Sequence, residues 1–474
     1  MIIPKTKSIT LFALVMLMAG AIDSIRNLPA TALFGSSLIF FFIFSAIVFL
    51  IPTALVSAEL SSYFSEKGGI FHWTNQAFGK KIGFLAIWLQ WINTMVWFPS
   101  ILSFIAGTAT YFIDPALSTN KLYLMSIILS TFWGLTWVNL KGLHISAKFS
   151  SFCAVVGMII PMALIILLAF IWLISGKPLQ IHFTAAELFP SLSHTDNWIS
   201  LTAIMAAFLG MELATVHIKE VINPKKTFPK ALFFAVLLIL ATMILGALAI
   251  AIVLPENKIN LVNGVMQAFT NFLAVYHLSW SIPILTVMIL LGSLGSIVSW
   301  LISPAKGLLH AAELGFLPSF FAKKNTQNIP SRLLITQAIL VSLFCFAFLL
   351  MPSVNGSYWL LTALSTQLYM LMYVIMFIAA IALKIKFKNK VTSFNIPGGK
   401  WGMWLTSGLG LIGCAITLFI GFIPPTGIDV GGFMHYEIVF TSGLIGMILP
   451  VVFFYAYQST KNKKFIIATE LLLE

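Results

Sequence analysis

Apolar stretches of 18 or more residues recur from one end of this chain to the other, and that recurrence excludes most of what a polypeptide can become. A run of that length with few charges crosses the roughly 30 Å hydrocarbon core of a bilayer as a helix. In water, a dozen such runs would leave far more apolar surface than one soluble core can bury. Of the 474 residues, 59% are hydrophobic and 9% are charged, against about 25% charged in an ordinary soluble domain. Length alone suggests about three soluble domains, but the repeated runs make a single membrane domain over residues 1–474 the simpler reading.

Charges, glycines and prolines bound the runs and place about twelve helices, at 8–34, 38–62, 82–113, 122–139, 149–175, 198–219, 227–254, 279–310, 332–351, 357–386, 402–423 and 434–458. The expected fold class is therefore an all-α membrane protein, its helices numbered here 1 to 12 in chain order. A formal charge of +13, from 27 Lys and Arg against 14 Asp and Glu, would suit a nucleic-acid binder. The basic residues sit instead in short loops. With the N-terminus inside, 23 of them fall on cytoplasmic segments and helix ends, and three (Lys121, Lys177 and Lys258) fall outside. Such an asymmetry predicts both termini in the cytoplasm and no nucleic-acid partner.

Cys153, Cys345 and Cys414 lie singly inside apolar segments, without metal spacing or a disulfide framework, and read as core residues. Lys5 and Lys7 precede the first run as they would in a secretory leader, but that run carries Asp23 and Arg26 and no small-residue cleavage site, so it is expected to remain as helix 1. The short tail after 459 and the outer loop at about 176–197 hold no further domain. No His-Glu-x-x-His, Gly-x-Ser-x-Gly or phosphate-binding loop occurs. The sequence predicts binding rather than bond-breaking, with no enzyme activity, no cofactor and no metal.

An ionisable side chain inside a bilayer is costly and marks a functional hypothesis by default. Helix 1 carries Gly20-Ala21-Ile22-Asp23-Ser24, then Arg26, Asn27 and Pro29, within about three turns, and helix 6 carries Phe208, Gly210 and Glu212. Both stretches contain residues that weaken a helix near mid-membrane. Paired interruptions in corresponding halves of a membrane protein point to a transporter site, because unwound backbone offers free N–H groups and half-helix ends to a substrate. The breaks lie five helices apart, which predicts two inverted repeats, about 8–175 and 198–386, with two helices appended over 402–458.

Alternatives stay open for each residue. Asp23 and Arg26, at i and i+3, either neutralise one another or serve a substrate. Glu212 has no local base, so a proton could neutralise it and make it a coupling or gating group. His217 and Glu220, beside Lys219, read as solvated or loop-packing groups. Glu59, at the cytoplasmic end of helix 2, suits an inner gate or a cap and precedes Glu66-Lys67-Gly68-Gly69, a turn into an interfacial segment with His72 and Trp73. Gly292-Ser293-Leu294-Gly295 offers close packing or a hydroxyl for substrate, and Tyr369, Tyr373 and Trp97 line a cavity or simply pack.

Several of these segments resemble the amino acid-polyamine-organocation superfamily. They are Phe208-Leu-Gly210-Met-Glu212 followed by Asn223-Pro224-Lys225-Lys226-Thr-Phe-Pro229, and Ala58-Glu59-Leu60 followed by Gly68-Gly69. Trp300 with Pro304-Ala-Lys306-Gly307, Leu317-Pro318, Phe321-Ala322-Lys323, Asn395-Ile-Pro397-Gly398-Gly399-Lys400 and Phe422-Ile-Pro424-Pro425 are similar, in order, to the bacterial glutamate/γ-aminobutyrate antiporter family. The resemblance implies a five-plus-five inverted-repeat (LeuT-like) fold with alternating access, and exchange of a glutamate-like amino acid for a related amino acid or amine. A proton-coupled amino acid symporter is the second expectation; a channel or a sensor is a distant third. Carried over by position, the implied substrate residues are Gly20, Ala21, Ile22, Asp23, Ser24, Arg26, Phe208, Gly210, Glu212, Ser293, Tyr369 and Tyr373, with Glu212, Glu59 and Trp97 in gating or proton coupling. The expected partners are a small amino acid or amine, protons and the lipid bilayer. Ile22-Asp23-Ser24 departs from the small Gly-Ser-Gly-like segment usual in the wider family.

Overall fold

In hydrocarbon no water is available to a backbone N–H or C=O, so each spanning segment satisfies its own polar groups as a helix. The computed structural model describes residues 9–64, 69–142, 152–190, 198–215, 220–387 and 392–459. Ten helices among them are long and apolar enough to cross a membrane: Leu11–Ala32, Gly35–Tyr63, Lys80–Phe112, Lys121–Leu140, Phe152–Ile174, Pro224–Val253, Ser331–Leu350, Val354–Lys386, Gly399–Ile420 and Phe433–Ser459. These are helices 1–5, 7 and 9–12. Helix 6 (Leu201–Thr215) is short because it is broken, and helix 8 (Ile282–Glu313) is one continuous helix of 32 residues. Among the described residues there is no strand; Ile9 and Val221 form one isolated parallel bridge.

Two shorter helices lie between the spans. Ile70–Phe78 follows Gly69 and stops at Gly79, whose φ values of 103° and 86° belong to glycine, and it buries Ile70, Phe71, Trp73 and Thr74. This is the interfacial segment expected after the Glu66-Lys67-Gly68 turn, which lies outside the described residues, as do His217, Lys219 and the tail from 460. Gly264–Val275, between helices 7 and 8, was not expected. Its 12 residues reach only about 18 Å, too short to cross.

Helices 3 and 10 run through the middle of the bundle, packed on each other, with helix 8 against helix 3 and helix 11 against helix 10. Two π-turns, Ala46–Leu50 in helix 2 and Val155–Ile159 in helix 5, each stand just before a proline, Pro52 and Pro161. A proline ring collides with the carbonyl four residues back in a regular helix, and the wider turn relieves that collision. In helix 5 the turn presents Gly157 to helix 8. A Cβ on Gly157 would lie 2.3 Å from Gly292 Cα, and one on Gly295 would lie 2.7 Å from Cys153 Cβ. Close packing is thus one established role of the Gly292 to Gly295 stretch.

At one end of the bundle Glu59, fully buried, accepts hydrogen bonds from Tyr63 Oη (2.9 Å), from Lys384 Nζ of helix 10, and from the N–H of Ile396 (2.7 Å) in the loop before helix 11. At that end, too, Ile9 N–H donates to Glu220 O and Ile222 N–H donates to Ile9 O, both at 3.0 Å. These bonds join the start of helix 1 to the segment leading out of helix 6.

Candidate functional site

Helix 1 is in two pieces. Its first piece, Leu11–Ile22, ends when Asp23 and Ser24 turn extended (ψ 124° and 120°), and a 3-10 turn at Ile25–Asn27 leads into Leu28–Ala32. Pro29 near the start of the second piece accounts for the restart, since proline suits the first turn of a helix and no later one. Helix 6 breaks likewise between Ser200–Ala207 and Met211–Thr215. Gly210 sits at φ 104°, a region other residues avoid.

The two breaks face one another across a cavity of about 130 Å³ at mid-depth, completed by helices 3, 5, 8 and 10. Gly20, Ala21, Ile22, Asp23, Ser24 and Arg26 line it from helix 1, Gly210 from helix 6, Trp97 from helix 3, Ser293 from helix 8 and Tyr369 from helix 10. A larger cavity of about 510 Å³ lies among the loops at the bundle end opposite Glu59, lined by residues such as Ser36, His182, Glu256 and Gly427. The smaller one sits where both half-helices end, which is where such folds present backbone polar groups to a solute.

Asp23 and Arg26 are not partners. Among the described residues no ion pair joins them. Asp23 Oδ2 accepts a 2.7 Å hydrogen bond from Thr242 of helix 7, while Oδ1 is buried without a partner. The Arg26 side chain, 9% exposed, lies with Cζ 4.8 Å from the ring centre of Trp97, and its Nε is buried without a partner. Trp97 in turn meets Trp300 of helix 8 at 5.7 Å. A guanidinium over an indole is attracted by the ring, but that contact leaves its Nε–H unsatisfied.

Glu212 lies just behind the cavity wall, 2% exposed. Its Oε1 accepts from Tyr369 Oη (2.5 Å) and Gln90 Nε2 (3.2 Å), and its Oε2 accepts from Tyr373 Oη. Tyr373 Oη also accepts the N–H of Gly210 at 3.0 Å. The carboxylate therefore anchors two tyrosines one turn apart on helix 10, and through Tyr373 it holds the helix 6 break. Phe208 and Tyr373 stand outside the lining; Phe208 is fully buried and meets Phe42 edge-on at 5.7 Å. Glu59, at the bundle end, is remote from the cavity lining.

Sequence reading passed over Gln90, Asn93, Thr94, Thr242 and Ser365. Asn93, Thr94 and Ser365 line the cavity, and Ser365 donates to Asn93 Oδ1. A signal existed for helix 3: residues 90, 93, 94, 97 and 101 follow a helical period, so its polar side chains share one face with Trp97 and Ile101. For Thr242, one hydroxyl in an apolar helix, there was none.

Proteins similar to this chain in sequence include transporters. A protein 40% identical over 93% of this chain and 94% of its own is an uncharacterized transporter of Legionella pneumophila. A glutamate/γ-aminobutyrate antiporter of Lactococcus lactis is 31% identical over 94% of this chain and 90% of its own. A probable agmatine/putrescine antiporter of the same species is 25% identical over 84% of each. Among solved structures, a manganese transporter of Eremococcus coleocola superposes with a TM-score of 0.56 over 95% of this chain and 94% of its own, at 13% identity, a likeness of fold alone. Broken helices 1 and 6 around a mid-membrane cavity are the architecture of the LeuT-like transporters, and the amino acid permease family profile matches residues 9–444, so this chain is an integral membrane transporter, not an enzyme, and belongs to the amino acid permease family of the amino acid-polyamine-organocation superfamily.

Proposed function

We propose that this transporter is an antiporter that exchanges a carboxylate-bearing, glutamate-like amino acid for a related amino acid or amine such as γ-aminobutyrate, by alternating access. The observation that carries this reading is the Arg26 guanidinium. It is buried at the cavity wall, stacked on Trp97, and joined to no carboxylate among the described residues. An unpaired buried cation is expensive unless a ligand of opposite charge completes it. The extended break of helix 1 at Asp23 and Ser24 presents backbone polar groups that suit an α-carboxylate, and the planar fork of Arg26 suits a second one. The names of the two Lactococcus relatives agree with such a pair of solutes.

In this reading Gly20 to Ser24, Gly210, Ser293 and Tyr369 contact substrate. Glu212, Tyr373 and Phe208 shape the break of helix 6 from behind, Trp97 closes over Arg26, and Glu59 belongs to a gate at the cytoplasmic end. The repeats comprise about 8–175 and 198–386, and both termini face the cytoplasm of a bacterial inner membrane. The orphaned oxygen of Asp23 favours a second reading, a proton-coupled symporter. Counterflow in proteoliposomes separates the two, since an exchanger needs internal substrate whereas a symporter accumulates solute on an imposed proton gradient. The test of the Arg26 assignment is Arg26→Lys, which keeps the charge and loses the fork. Uptake of L-glutamate should fall at least tenfold more than uptake of L-glutamine. Equal losses would refute it.

A further inference from the structure

Two carboxylates flank the cavity, Glu212 buried and Asp23 half-buried, and they are held in opposite ways. Glu212 is saturated with donors, three hydrogen bonds reaching its two oxygens. Asp23 has one donor, Thr242, and its Oδ1 is buried with no partner. A carboxylate left so is costly, and three kinds of ligand would relieve it: a metal ion, a substrate ammonium or a proton. A divalent ion such as calcium takes six or more oxygens, largely from carboxylates, and no cluster of three or more His, Cys, Asp or Glu stands among the described residues to hold one. An ammonium in the cavity does not reach Oδ1, because that atom is buried, although Asp23 as a residue lines the cavity. A proton needs no room.

We propose that Asp23, rather than Glu212, is the proton-binding carboxylate of this transporter, and that its protonation frees Arg26 for an anionic substrate. Among the described residues the surroundings leave it no other cation. Arg26 is the other charged residue of helix 1 and, with Tyr369, the only other ionisable side chain lining the cavity. Helix 5 offers only Cys153. Described helix 6 offers only the saturated Glu212, and helix 7 only Lys225, Lys226 and Lys230, the nearest 12 residues before Thr242 and so about 18 Å along the helix. The described part of helix 8 has Lys306, His310 and Glu313, a turn or more beyond Trp300.

When Asp23 loses its proton to water in the cavity, Arg26 is the cation that lines the same cavity. Pairing with it satisfies the carboxylate and occupies the guanidinium. When Asp23 regains a proton from water the pair dissolves, leaving the carboxyl with Thr242 and the guanidinium over Trp97, and Arg26 is open to a carboxylate. Proton and anionic substrate therefore bind together. This linkage rests on the carboxylate reading of Arg26; the assignment of the proton to Asp23 does not.

Two measurements test it. Infrared difference spectra of wild type minus Asp23→Asn at neutral pH should contain the carbonyl stretch of a protonated carboxylic acid. Identical spectra in that region overturn the proposal. L-glutamate binding in detergent should weaken toward tenfold per pH unit above the midpoint in wild type, the slope of one linked proton, and should be flat in Asp23→Asn. A wild-type slope in that variant overturns the proposal. Should Asp23→Asn fail to fold, Thr242→Val decides: loss of the only donor to the carboxyl shifts the acid band, and an unshifted band overturns the assignment. If Arg26→Gln binds L-glutamate as well as wild type, or wild type does not bind it at all, the carboxylate reading fails while the infrared result still judges Asp23.

Discussion

Tyr373→Phe removes one oxygen from behind the cavity, and two buried groups lose a partner. The hydroxyl accepts the Gly210 N–H at 3.0 Å and donates to Glu212 Oε2. A buried amide without a partner costs about 1–3 kcal/mol, and a hydrogen bond to a charged group is worth about 1.5–3 kcal/mol. Glycine at the break gives some of this back by shifting, so the net loss should be about 3 kcal/mol. Single interhelical hydrogen bonds in a membrane protein average about 0.6 kcal/mol, and the surplus is what the shared hydroxyl predicts. The assay is reversible unfolding in mixed detergent micelles for wild type, Tyr373→Phe, Glu212→Gln and the double variant. Because one bond links the two side chains, the double variant should lose less than the sum of the singles, by more than about 1 kcal/mol. Transport should show a raised KM, since Gly210 lines the cavity. Additive losses, or a single loss near 0.6 kcal/mol, would refute the picture of Glu212 as the anchor of the helix 6 break.

Glu59→Gln breaks a buried ion pair with Lys384 and weakens the bonds from Tyr63 and Ile396; it should destabilise the fold by about 3–5 kcal/mol, measured by the same unfolding. Gly157→Ala should abolish folded yield, its Cβ 2.3 Å from Gly292, whereas Gly20→Ala, with nothing within 4 Å, should fold normally and raise the KM by narrowing the cavity; size-exclusion profiles and uptake separate the two. A cysteine at the exposed Lys400 should react with an impermeant maleimide only after the cells are permeabilised; labelling in intact cells would place the start of helix 11 on the outside.

The membrane class, the order of the helices and the two weak stretches were legible in the sequence because they follow from local facts: an apolar run must be a helix in lipid, and Gly210 and Pro29 mark where a helix is easily interrupted. Ionisable residues in such runs also announce themselves, and Asp23, Arg26 and Glu212 were found that way. What each charge does depends on distance, and sequence spacing misleads there. Asp23 and Arg26 stand three residues apart and would meet on an intact helix; the extended backbone at Asp23 and Ser24 separates them, and a residue 219 positions away, Thr242, takes the carboxylate instead. Glu212 lacked a base nearby in sequence, and the fold supplied neutral donors from helices 3 and 10. Only tertiary structure decides such partners, because burial makes each buried polar group find its bond wherever packing brings a donor, and packing joins residues without regard to their separation along the chain.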